Sequence, residues 1–118
     1  MIVSRKCSFD AAHFLPRYKG KCKNVHGHRW TVELAVEGPV DPNTGFVVDF
    51  SHIKAWLQEN VVDEFDHTLI NDKIENPTAE NIAEWIGKQF IIENSKVGLA
   101  YVRVWETPDS MVEWRPEK

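Results

Sequence analysis

Residues 29–37 read RWTVELAVE, and they alternate without a break. Trp30, Val32, Leu34 and Val36 fall on one side of an extended chain; Thr31, Glu33 and Glu37 fall on the other. Successive side chains of a strand point to opposite faces, so the pattern predicts a half-buried antiparallel strand. Upstream, residues 2–13 suit a partner strand, with Val3, Cys7, Phe9, Ala11 and His13 sharing a face. Residues 14–25 hold Pro16, Gly20, Asn24 and many charges, and read as a loop or irregular hairpin. Downstream, GPVDPNTG (38–45) is turn chemistry, and Phe46, Val47 and Val48 read as a short strand. Phe50, Ile53, Leu57 and Val61 then recur at helical spacing behind a cap at Asp49 or Ser51. DEFDHTLIND (63–72) breaks that pattern as a connection. Asn76 as cap and Pro77 in the first turn open a second helix, whose apolar stripe is Ile82, Trp85, Ile86 and Phe90. LAYVRVWE (99–106) and MVEW (111–114) supply the third and fourth strands, joined by a turn at Pro108-Asp109. In the third strand Ala100, Val102 and Val104 face one way, Tyr101, Arg103 and Trp105 the other.

This order predicts an α+β fold: a four-stranded antiparallel sheet with two helices on one face, inserted between the second and third strands. The length of 118 residues suits one domain spanning 1–118. Both faces of the third strand carry apolar atoms and the chain holds five tryptophans, which predicts an oligomer that closes the sheet edges. No apolar run reaches the roughly 20 residues of a membrane helix, and Arg5 and Lys6 interrupt the region where a secretory signal needs its apolar core. The expected location is cytoplasmic, with Cys7 and Cys22 reduced. The net charge of −4 argues against a general nucleic-acid binder. RYKGKCK (17–23) is nonetheless locally basic, and is either a solvated loop or an anion site.

The residues with chemistry cluster in CKNVHGH (22–28). In an extended segment His26 and His28 point to the same side, so both imidazoles can reach one ion, and Gly27 between them would permit close backbone approach. His13 ends the first strand, and a hairpin brings it beside them. Three histidines on adjoining strands make an open zinc site with a position left for substrate or water; imidazole suits zinc better than calcium or magnesium. Cys22 has two readings. It is a fourth ligand that closes a structural site, or a nucleophile or base whose thiolate Lys19, Lys21 and Lys23 favour. Cys7 reads as a small core residue. Asp66-His67 is either an orienter and base or an ordinary loop pair. His52 reads as exposed. Glu106 ends a strand with apolar same-parity neighbours, and by itself reads as reaching solvent.

FDAAH (9–13), CKNVHGH (22–28), DPNTGFVVDF (41–50), FDHTLIND (65–72), NPTAENIA (76–83) and WET (105–107) together resemble the 6-pyruvoyltetrahydropterin synthase / 6-carboxytetrahydropterin synthase family, over essentially the whole chain. The resemblance implies the tunnelling fold, with subunit sheets joined into barrels as trimers or hexamers. It implies zinc, one per subunit, on His13, His26 and His28; catalysis by Cys22, Asp66 and His67, with the dyad able to serve a neighbouring subunit; and a pterin anchored by Glu106, with Thr78 and Glu80 nearby. The implied substrate is 7,8-dihydroneopterin triphosphate, whose triphosphate is assigned to Arg17, Lys19, Lys21 and Lys23. One branch yields 6-pyruvoyltetrahydropterin. The other cleaves a side-chain carbon–carbon bond to give 6-carboxytetrahydropterin and acetaldehyde on the way to queuosine, and the Cys-x3-His-Gly-His spacing and short chain resemble this branch. A third, folate-linked branch has glutamate in place of the cysteine, and Lys23 beside Cys22 is not acidic. Unlike familiar carboxy-branch chains, this one ends in PDSMVEW without a cysteine. Two further classes stand against this reading: a structural zinc module with Cys22 as fourth ligand, and a metal-free pterin-binding protein.

Overall fold

In a computed structural model, which describes residues 1–117, the chain forms one four-stranded antiparallel sheet in the order β1-β2-β3-β4. The strands are β1 (Ile2–His13), β2 (His26–Glu37), β3 (Gly98–Thr107) and β4 (Ser110–Trp114). β1 and β2 pair along their whole lengths, from Ile2 opposite Glu37 to His13 opposite His26. Trp30, Val32, Leu34 and Val36 are fully buried on one face, as their alternation requires. Against that face lie two helical segments. α1 (Phe50–Leu57) is capped by Asp49, whose carboxylate accepts from the Ser51 amide at 2.8 Å. It runs on through a π turn (Gln58–Val62) and one more helical turn ending at Phe65. α2 (Ala79–Glu93) packs on β3 and β4. Phe9, Ile53, Leu57, Phe65, Ile82 and Phe90 fill the space between the layers. Burying a side chain of this size contributes about 1.5–3 kcal/mol.

Three local expectations change. The cap of α2 is Thr78, not Asn76: its hydroxyl accepts from the Asn81 amide at 3.1 Å, and Pro77 stands before the helix rather than in its first turn. Phe46, Val47 and Val48 form no strand; Asp41 instead closes the turn, accepting from the amides of Asn43 and Gly45. In β3, Ala100 does not share a face with Val102. A bulge opposite Ala35/Val36 breaks the alternation, so Leu99 and Val102 join the core while Ala100 and Tyr101 pack with Ala35 on the other side.

Candidate active site

The β1–β2 hairpin ends in three imidazoles. His13 is fully buried, and its ring lies 4.6 Å from His26 and 5.3 Å from His28, centroid to centroid. Trp30 supports them edge-on at 4.9 and 5.4 Å from His13 and His28. Two rings are oriented by backbone carbonyls: His13 Nδ1 sits 2.8 Å from Pro77 O, and His26 Nδ1 sits 2.7 Å from Asn24 O. A carbonyl only accepts, so each Nδ1 carries the proton and each Nε2 keeps a lone pair.

Glu106, from the end of β3, completes the group. One ligand atom from each of His13, His26, His28 and Glu106 lies within 4.8 Å of the others. Glu106 Oε1 is 3.2 Å from His13 Nε2 and 3.3 Å from His28 Nε2. Neither contact has hydrogen-bond alignment, and both Nε2 atoms are buried polar atoms without a hydrogen-bond partner. Burial lowers the pKa of His13 and of His28, which favours neutral rings. Orphaned, neutral, converging nitrogens are what a borderline-soft cation needs, so this donor set fits a metal. Glu106, read from sequence as reaching solvent, faces the histidines because its strand ends beside theirs.

Cys22 lies outside this group, on a short turn (Lys21–Lys23) of the β1–β2 loop, partly buried, with its carbonyl accepting from the Leu15 amide at 2.7 Å. Cys7 packs against the core, and burial pushes its thiol up to about 12.

Asp66 and His67 dock on the opposite edge of β1. Asp66 Oδ1 accepts from the Asp10 amide at 2.9 Å, and the His67 amide donates to Asp10 O at 2.6 Å. His67 Nδ1 is 2.9 Å from Asp66 Oδ2, which leaves Nε2 at the outer end of an 80% exposed side chain. The Asp10 amide and His67 hold the Asp66 carboxyl below its usual range. His67 has φ 59, in the left-handed region.

Two open cavities meet at Gly27, His28 and Arg29. One, of about 540 Å³, also has Lys6, Trp105 and Glu106 in its wall. The other, of about 690 Å³, reaches His67. A Cβ at Gly27 would meet only Ala11 O, at 3.8 Å, so close backbone approach is not what places glycine there. The bare position lies where the two cavities join.

A family profile described as 6-pyruvoyl tetrahydropterin synthase matches residues 2–117. The chain belongs to the 6-pyruvoyl tetrahydropterin synthase family. This is an enzyme family of pterin synthases. The 6-carboxy-5,6,7,8-tetrahydropterin synthase of a Synechocystis strain is 39% identical over 112 residues, covering 90% of this chain and 86% of that protein. An Archaeoglobus fulgidus protein that carries the same name provisionally is 43% identical, covering 98% and 96%. The solved 6-pyruvoyl tetrahydropterin synthase of Caenorhabditis elegans superposes with a TM-score of 0.87 at 27% identity, covering 99% of this chain and 96% of that one.

The remaining family positions are more dispersed. The Thr78 hydroxyl is engaged as the α2 cap, and Glu80 is exposed in the first turn of that helix. Arg17 pairs with Glu75 at 3.4 Å. Lys19, Lys21 and Lys23 are exposed on the loop and line neither of the two cavities. Sequence reasoning missed Asn71, whose side chain clamps the backbone of Phe14 in both directions and steadies the end of β1. Its signal was present in FDHTLIND, as a side chain able to donate and accept at once.

Proposed function

We propose that the protein is a 6-carboxy-5,6,7,8-tetrahydropterin synthase. It converts 7,8-dihydroneopterin triphosphate and one water to 6-carboxytetrahydropterin, acetaldehyde and triphosphate, on the route to queuosine and other deazapurines in the cytoplasm. The observation that carries this reading is the convergence of His13, His26, His28 and Glu106 beside an open cavity. His13, His26 and His28 would hold one zinc ion per subunit, which as a Lewis acid acidifies the substrate's side-chain hydroxyls and adjacent carbon. Cys22 Sγ accepts the proton from the side-chain carbon. His67 Nε2 relays it, with Asp66 holding the ring through Nδ1. Glu106 faces the cavity, where its second oxygen suits the N–H edge of the pterin. Thr78 and Glu80 act as further pterin-side residues, and Lys19, Lys21 and Lys23 add positive charge outside the two cavities. Subunits join through the edge of β4 and the length of the β1 edge that the Asp66–Thr68 segment leaves uncovered, into trimers or hexamers. A monomer in analytical ultracentrifugation at micromolar concentration would sink that assembly.

The 6-pyruvoyl product is the second reading, favoured by the name of the Caenorhabditis elegans neighbour. The deciding experiment incubates zinc-loaded protein with dihydroneopterin triphosphate. A 6-carboxy product by mass together with acetaldehyde is expected. A 6-pyruvoyl product without acetaldehyde selects the second reading, and no turnover rejects both. Cys22→Ala separates both from a structural zinc module: zinc should be retained while turnover is lost, whereas a fourth ligand would take the zinc with it.

A further inference from the structure

The cavity beside His28 and Glu106 contains two cations, Lys6 and Arg29. Arg29 already has a partner, Asp10, at 3.6 Å. Lys6 is different. It stands directly across the strand pair from Glu33, where a cross-strand ion pair would be expected. Glu33 does not take it. The Glu33 oxygens accept from Ser4 Oγ at 2.7 Å, Tyr101 OH at 3.0 Å and Arg103 at 3.3 Å. Lys6 Nζ lies instead 4.8 Å from the ring centre of Trp105, another residue of the cavity wall. Cation–π contact with this partly buried ring fixes an ammonium without neutralising it. No carboxylate among the described residues pairs with Lys6, so its charge is left to the cavity.

We infer that Lys6 is a specificity-determining residue that receives the phosphate groups of the substrate, its ammonium held over Trp105 and facing the cavity that contains His28 and Glu106. This rests on the reading of the substrate as a pterin triphosphate. A strongly anionic tail beside a carboxylate such as Glu106 needs a nearby cation, and Lys6 is the one that its own fold leaves unneutralised.

The test measures binding of inorganic tripolyphosphate to the zinc-loaded protein by calorimetry, with zinc content checked afterwards, alongside steady-state kinetics with dihydroneopterin triphosphate. Lys6→Gln should weaken tripolyphosphate roughly tenfold and raise KM by a similar factor with kcat within about twofold, since a charge-assisted contact is removed away from the reacting atoms. Lys6→Arg should restore most of both. Binding of dihydroneopterin without phosphates should be the same in Lys6→Gln and wild type, and Lys54→Gln on α1 should change nothing. Unchanged tripolyphosphate binding in Lys6→Gln, or an equal loss for the neutral pterin, overturns the inference. So does a loss confined to Lys21→Gln, which would return the phosphates to the loop. Failure of the proposed function looks different: no turnover, with tripolyphosphate binding still dependent on Lys6.

Discussion

His67 has the only positive φ of any non-glycine residue described, and it belongs to the segment that bonds Asp10 through both backbone and side chain. A strained residue held by its surroundings marks a place where position matters more than local stability. Removing its Cβ relieves the strain, so His67→Gly should leave stability unchanged or raise it by up to about 1 kcal/mol. The same change deletes the proposed relay, so turnover should fall by at least about a hundredfold. A clear loss of thermal stability would show that the ring is structural. For the metal group, His26→Ala should reduce zinc per subunit to near zero in elemental analysis while far-UV circular dichroism keeps its native shape, because His26 is only partly buried. Loss of the sheet signal would mean that metal and fold are one event. Much of this group was legible in the sequence. His26 and His28 share a side through the period of two, and the hairpin pattern returns His13 to them. Glu106 entered only through the family resemblance, as a pterin anchor and not as a neighbour of the histidines, because its neighbours are distant in sequence and a lone strand-end carboxylate normally goes to solvent. The ring orientations were also illegible: Pro77 O and Asn24 O are backbone acceptors, which any residue supplies.

At the level of elements, α2 presses against β4 so closely that a Cβ at Gly87 would stand 2.2 Å from Trp114 Cζ3. Alanine favours a helix interior by about 1 kcal/mol over glycine, yet forcing a rigid indole aside costs more. Gly87→Ala should therefore lower the urea unfolding free energy by about 1–2 kcal/mol, and Gly87→Ala with Trp114→Leu should recover part of it. Stabilisation by the single change would show that Trp114 moves freely. Nothing within the helix explains this glycine; its reason is a contact with a strand more than twenty residues later. The same limit explains the other misreadings. Alternation located all four strands and the helical period both helices, because each signal lies within its own element. The bulge at Ala35/Val36 and the absence of a strand at residues 46–48 depend on how elements meet. The cap moved from Asn76 to Thr78 because both residue types cap well, and the Asn76 carbonyl is used instead by the Asn81 side chain at 2.8 Å.

The whole molecule is elongated, 53 by 28 by 26 Å with a radius of gyration of 15.0 Å, where a compact chain of this length has about 13–14 Å. Its helices cover one face of the sheet, and a polar network ties the other face together across all four strands. Ser4 in β1, Glu33 in β2, Tyr101 and Arg103 in β3 and Glu113 in β4 form a chain of contacts of 2.7–3.3 Å centred on Glu33, which is only 7% exposed. Burial pushes the Glu33 carboxyl up, but the Ser4 and Tyr101 hydroxyls with Arg103 outweigh it and leave its pKa below the usual range. A carboxyl with a depressed folded pKa stabilises the fold above its unfolded value of about 4.3, and loses that contribution as pH falls through the folded pKa. Glu33→Gln should cost about 1–3 kcal/mol at pH 7, since Arg103 and Tyr101 lose a charged partner inside the sheet. The gap between wild type and variant should stay constant down to about pH 4.5 and close below it, as wild-type Glu33 becomes neutral in its turn. Urea midpoints for both proteins from pH 7 to pH 3 measure this directly. A gap that does not narrow at all between pH 4.5 and pH 3 would mean that Glu33 holds the strands by shape and hydrogen bonding alone, and that its charge does nothing for this face of the sheet.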